Sequence, residues 1–310
     1  MNAAFFRSVG GTPLVPHNTA DPNLVSWNFG LFPSDLPEHI PTFYVAAPHL
    51  EGSWDGKTSV SNWEATRKVL GAFLPAQKQT RGTCVGRGCS GALNVLQCIQ
   101  IAEGKRADEF RPVSHAWCYG GARTRGGMLG SGDGAMGPDA ALWCKEKGSV
   151  FQRESGDADY YSDQRAVEWG GSGIPSALLP LAADNPAQEV AVCLSAREAA
   201  DTIFNGGVVT VASDQGFTMT RDSHGVCQPQ GSWAHQMYLA AIVVLPDGRK
   251  VFGCGQSWGE NTPDGPQLSG CPNYVFGIQW EVADGMLRQK QSMSVGAFVG
   301  WSSPGIHWTF

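Results

Sequence analysis

An α+β protein with two lobes is predicted by a change of period along the chain. In the first half, apolar residues recur at helical spacing, as in Val85, Cys89, Leu93, Leu96 and Ile99. In the second half the pattern becomes that of strands: Val208–Ala212, Met237–Val244, Val251–Cys254 and Tyr274–Trp280. Pro246-Asp247-Gly248 is a hairpin turn between two of these runs. Helices first and antiparallel strands later segregate into an α+β architecture. Forty glycines and nineteen prolines add turns and ordered loops, and argue against a helical bundle. The expected organisation is an extended N-terminal arm over 1–65, a helical lobe over 66–193, and a β-rich lobe with a C-terminal extension over 194–310.

Composition narrows the function classes. A chain of 310 residues can bury a sizeable core. Its net charge of −6 argues against a broad nucleic-acid surface. The basic spots Ala122–Arg125 and Gly104–Arg106 are read as solvated turns. No window approaches the roughly 18 apolar residues of a membrane span. The first residues lack the apolar run of a signal peptide, so cytoplasmic synthesis is expected. Eleven tryptophans suggest aromatic anchors at lobe or partner interfaces.

Seven prolines between Pro13 and Pro48 leave little periodicity in the arm, which is expected to hold short strands such as Thr42–Val45. Such an arm wraps its own domain or a neighbouring subunit. Cys84 then opens a helical segment closed by Gly104. A thiol at a helix N-terminus meets unpaired N–H groups and the positive end of the helix dipole, which favours the nucleophilic thiolate. The same N–H groups can steady an oxyanion. The glycines of Gly126–Gly137 include Gly132, Gly134 and Gly137, a formal GxGxxG. No apolar strand precedes them, so a wall of a cleft is read there instead of a dinucleotide site. Pro138–Lys147 reads as a short helix ended by Gly148, and Ser195-Ala196-Arg197-Glu198 as a capping box.

Nine cysteines without a CxxC pair exclude the common zinc patterns. Cys98, Cys118, Cys144 and Cys193 sit in apolar segments and are expected as buried thiols; pairing of Cys254 with Cys271 is left open. His115 is read as a core histidine and His224 as an exposed one. His235 is the candidate base, next to the longest predicted strand. Gln256 follows the returning strand of the hairpin, at the same end of the sheet. Its amide oxygen is placed to orient the imidazole.

In this order Cys84, His235, Gln256 and Ser257-Trp258-Gly259 resemble the papain-like cysteine peptidases. Gln79 matches the family's oxyanion glutamine, Gly82-Thr83-Cys84 the end of its nucleophile motif, and Trp258 the tryptophan that shields the site. Gly132 and Gly134 match the glycine loop of the substrate cleft. The similarity covers roughly residues 66–280, and Trp280–Leu287 resembles a divergent bacterial and bacteriophage branch. Gln79 stands five residues before Cys84 where the family usually has six, and Gln256 stands where it has asparagine.

The resemblance implies a helical lobe, an antiparallel β-barrel-like lobe and an active-site cleft between them. It implies a peptide or protein substrate, thiolate attack and an acyl-enzyme, with no metal or organic cofactor. Two alternatives stand beside it. One is a weak or inactive papain-fold component of a phage virion or other assembly, contacting neighbouring subunits through the arm. The other is a cell-wall peptidoglycan amidase or endopeptidase. Cys89, in Gly88-Cys89-Ser90-Gly91, is the rival nucleophile, by its similarity to the NlpC-type cell-wall hydrolases.

Overall fold

The computed structural model describes residues 27–28, 31–32, 39–104, 109–130, 132–156, 162–259 and 261–296. Most of the predicted arm, Lys105 and Arg106 of the second basic spot, and the C-terminal extension after 296 lie outside the described residues. The chain runs β1 (Trp27–Asn28), β2 (Leu31–Phe32), α1 (Phe43–Ala46), β3 (Val60–Ser61), α2 (Trp63–Leu70), α3 (Cys84–Ala102) and α4 (His115–Arg125). It continues with β4 (Ala135–Met136), α5 (Gly137–Lys147), α6 (Gln164–Ser172), α7 (Leu179–Ala183), β5 (Val190–Val192) and α8 (Ala196–Phe204). Then come β6 (Val208–Arg221), β7 (Cys227–Val244), β8 (Lys250–Gly255), β9 (Val275–Gln279), α9 (Trp280–Leu287) and β10 (Met293–Val295).

The helices α3 to α6 pack together, and α3 also lies on the sheet at β6 and β7. Every α3 residue from Cys84 to Ile99 is buried, including Arg87 and Asn94. The helix is therefore central, where the apolar spacing alone predicts a one-sided stripe. Its buried polar groups are satisfied: Asn94 Oδ1 accepts Val113 N at 2.7 Å, and Arg87 pairs with Asp163. Small residues let α3 approach β7. A Cβ on Gly88 would lie 2.9 Å from Gln236 Cγ, and one on Gly91 would lie 2.6 Å from the Tyr238 ring.

The main sheet runs β5-β10-β6-β7-β8-β9, with β1 and β3 also paired to β7. The hairpin at Pro246–Gly248 forms as expected, closed by Leu245 N to Arg249 O at 2.8 Å. β6 and β7 form the long antiparallel pair, with Ser213 opposite His235 and register shifts just beyond. Such irregularities bend a strand and re-aim its side chains. The capping box at Ser195 is present: its hydroxyl accepts Glu198 N at 3.2 Å.

Part of the arm prediction is corrected. Thr42–Val45 is not a strand; Phe43–Ala46 is a helical turn whose Phe43 is buried beside Ala191. Residues 43–62 are built into the β-rich lobe, not loosely draped on it. The reason is Asp201, a fully buried carboxylate. It accepts Tyr44 Oη at 2.7 Å, Gly52 N at 2.8 Å and Trp54 N at 2.8 Å. A buried carboxylate needs such donors, and this segment supplies them.

Candidate active site

Cys84 is the first residue of α3, so its thiol lies where helix N–H groups have no intrahelical partner. Backbone N–H groups of Gln236 and Val85 lie near its sulfur and favour its thiolate form. Gln236 is the neighbour of His235 on β7. The close approach of α3 at Gly88 to Gln236 thus brings the thiol to the strand that carries the imidazole.

The segment before Cys84 is fastened to the segment after β8. Gln79 N donates to Ser257 O at 2.8 Å, and Gly259 N to Gln77 O at 2.8 Å. Lys78 and Trp258 face each other across this short antiparallel bridge. Ser257 Oγ donates to Gln79 Oε1 at 2.7 Å, which fixes the amide with its nitrogen on the other side, 3.0 Å from Arg81 O. Gln79 is therefore held beside the loop leading to Cys84 even with one residue fewer in that loop.

His235 is fully buried and stacks on Trp258, ring centroids 5.6 Å apart and 16° from parallel. Trp233 meets Trp258 edge-on at 5.0 Å, and Phe276 stacks beyond it at 6.2 Å. This aromatic wall excludes water from the imidazole. Gln256 lies alongside, but its amide is engaged elsewhere. Its Oε1 accepts Trp258 N, and its Nε2 donates to Tyr274 O at 3.2 Å. The role of orienting His235, assigned from sequence, is thus not visible in its hydrogen bonds; Gln256 braces the turn that places Trp258.

Sequence reasoning missed Asp163, which lies just before α6. Its carboxylate accepts Thr83 Oγ1 at 2.8 Å, Thr80 Oγ1 at 3.0 Å and Arg81 N at 3.2 Å. It also pairs with Arg87 Nη2 at 2.8 Å, and His115 Nε2 is 3.6 Å away. One carboxylate thus gathers the turn between Gln79 and Cys84 onto the second turn of α3. Burial alone would raise its pKa. The Arg87 guanidinium and the donated hydrogen bonds instead hold it below the usual carboxylate range. Arg87, four residues into the helix, was the available signal, since a buried arginine needs an anion. Asp133, between Gly132 and Gly134, accepts Gly82 N at 3.2 Å, so the glycine loop borders the same turn.

Short strands of the arm stand on both sides of the site. The backbone of β1 pairs in parallel with β7, Trp27 opposite Trp233 and Asn28 opposite Ala234. β2 pairs in parallel with β4, Leu31 opposite Ala135 and Phe32 opposite Met136. β1 thus lies on the strand leading into His235, and β2 on the wall that follows Gly134. Leu31 is buried in the main core.

Cys84 and His235 are both fully buried. Burial pushes the Cys84 thiol up to about 12, despite backbone N–H bonds that favour thiolate. It pushes the His235 imidazole down to about 3. In this state both groups are neutral at pH 7, where the helix position alone predicts thiolate. Cys89 is also fully buried, one turn further along α3, and its thiol contacts Cys118 and Cys144. Cys118, Cys144, Cys254 and Cys271 are free and buried. His115 is a core residue, as expected; His224 lies 3.7 Å from Asp247 in a partly exposed turn.

No family model matches the chain, and no curated protein matches it. Solved structures do. Xylellain, a cysteine protease from Xylella fastidiosa, aligns with 94% of this chain and 99% of its own, with a TM-score of 0.61 and 13% identity. The digestive procathepsin L 3 of Tenebrio molitor larval midgut aligns over 84% of this chain and 75% of its own, with a TM-score of 0.54 and 13% identity. Recombinant stem bromelain precursor aligns over 86% and 76%, with a TM-score of 0.51 and 13% identity. The chain has the papain-like fold.

Proposed function

We propose that this chain is a cysteine peptidase or related amide hydrolase, held latent by its own arm. The observation that carries the reading is the position of Cys84: first residue of the buried central helix, its sulfur against the N–H next to His235. When the cleft is open, His235 takes the thiol proton and the thiolate attacks a peptide carbonyl. The Cys84 N–H and the Gln79 amide receive the oxyanion, and His235 returns the proton to the leaving amine. Water then releases the acyl group. Trp258 shields the imidazole throughout. The cleft floor near Gly132 and Gly134 receives the extended substrate backbone. Latency is supported by the arm pairing on both sides of the site and by the two neutral groups beneath it. Cysteine proteases of this fold include chains named as precursors, which also favours the reading.

The test is residue-resolved labelling of Cys84 by a small electrophile near pH 6, where an ordinary thiol with pKa near ~8.5 scarcely reacts. The full chain labels slowly. Leu31→Asp, which puts a charge into the buried end of the arm, labels fast, and His235→Ala in that background abolishes it. Peptide turnover by Leu31→Asp follows the same pattern. Turnover of peptidoglycan fragments instead would move the substrate class to the cell wall.

Burial of both reactive groups favours a second reading, a papain-fold component of an assembly such as a virion, without activity. A folded Leu31→Asp chain whose Cys84 stays unreactive selects that reading.

A further inference from the structure

Three cysteines from three helices meet in the core of the helical lobe. Cys89 of α3, Cys118 of α4 and Cys144 of α5 are fully buried. Their sulfurs all lie within 4.8 Å of one another, and those of Cys118 and Cys144 are 3.7 Å apart. An ion with metal–sulfur bonds of about 2.3 Å holds its sulfurs about 3.8–4.0 Å apart, in tetrahedral or trigonal geometry. The Cys118–Cys144 pair already stands at that spacing, and the Cys89 sulfur lies within 4.8 Å of both. Three thiolates supply three of the four positions that an ion of this kind takes in a closed site, and thiolates select soft cations.

We propose that Cys89, Cys118 and Cys144 form a three-thiolate site for a soft divalent cation of the zinc class. A divalent ion binds the three sulfurs, their three protons leave to solvent, and the site goes from neutral to a net charge of −1. No electron moves. The ion ties α4 and α5 to α3 one turn beyond Cys84. It would stiffen the helix that presents the nucleophile without touching the nucleophile. The proposal does not depend on the peptidase reading.

The site is sealed, so the ion loads as the lobe folds. The test refolds the full chain from denaturant under a non-thiol reductant with cadmium, then with zinc, and removes unbound metal by gel filtration. Expected are close to one cadmium per chain, a sulfur-to-cadmium charge-transfer band of three-thiolate intensity, and a higher melting temperature. Cys84→Ser keeps the band; Cys144→Ser and Cys118→Ser lose it. If either serine variant fails to fold, the wild-type chain still decides. Folded wild-type protein that retains no cadmium and no zinc overturns the proposal. So does a band that persists in Cys118→Ser and vanishes in Cys84→Ser. A Cys118–Cys144 disulfide in metal-free native protein overturns it as well.

Discussion

Asp163 joins more of the candidate site than any residue recognised from the sequence. It holds Thr80, Arg81 and Thr83 on one side and Arg87 on the other. Replacing it with asparagine keeps the shape and removes the charge, leaving Arg87 buried and uncompensated. Breaking a buried pair in this way costs about 3–5 kcal/mol. Asp163→Asn is expected to lower the unfolding free energy measured by denaturant melts by that amount, and Arg87→Met in the same background to recover part of it. Gln256→Ala tests a different assignment. Its amide serves Trp258 N and Tyr274 O, so the loss should appear first as roughly 1–3 kcal/mol of stability. A fall in Cys84 reactivity at unchanged stability would return Gln256 to the imidazole. That Cys84, Gln79, His235 and Trp258 gather in one region was legible, because each sits in a short motif. Asp163 was not. Its partners are separated from it by some eighty residues, and nothing local distinguishes a carboxylate that will be buried.

At the scale of elements, α3 is the piece whose fit is tightest. Gly91→Ala places a methyl carbon 2.6 Å from the Tyr238 ring, and Gly88→Ala places one against Gln236. In an open helix such a change would gain up to ~1 kcal/mol. Here overpacking should reverse the sign, with a loss of about 1–3 kcal/mol on thermal unfolding. Gly285 of α9 supplies the contrast. No atom lies within 4 Å of its added Cβ, so Gly285→Ala should stabilise by roughly 0.5–1 kcal/mol. The helix was visible from its apolar spacing, but its burial on all sides was not. Glycine in a helix pattern is ambiguous: it weakens the helix, or it admits a neighbour, and the neighbour of Gly91 is Tyr238, on a strand 147 residues further along the chain. The β6–β7 pair was legible as strands, whereas its length and bulges were not. Polar residues such as Gln228, Gln230 and Ser232 break the apolar alternation within β7. Thr42–Val45 failed for the converse reason. Its residues favour strands, but burial of Phe43 and the pull of Asp201 on Tyr44 decide a helical turn.

For the molecule as a whole, the buried ionisable groups set a pH window. His235 and His115 titrate near 6.5 when unfolded and near 3 when folded, because burial disfavours the imidazolium; beside His115 the Arg87 charge adds to this. Between those values the unfolded chain binds more protons, so stability rises with pH and is lost as pH falls below about 6.5. At pH 5 each fully buried imidazole contributes a loss of about 2 kcal/mol relative to neutrality. At the alkaline end the sign reverses. The buried thiols of Cys84, Cys98, Cys227 and Cys271 are pushed up to about 12, so the native state keeps protons that the unfolded chain has released. Stability falls as pH rises from about 9 toward 12. Denaturant melts at pH 5, 7 and 10 should therefore show a maximum near neutrality. Exposing the site in Leu31→Asp should flatten the acid limb by the share belonging to His235.

Under the proposed latency, the arm is an occupant joined to the same chain, and it competes at a local concentration that short tethers place in the millimolar range. Diluting the protein does not release it, and neither does adding more protein. An extended ligand of micromolar intrinsic affinity would then bind with an apparent constant weaker by the arm's own occupancy ratio. Cutting the chain between β2 and α1 turns that fixed competitor into a dissociable one, so the same ligand would gain affinity as the nicked protein is diluted.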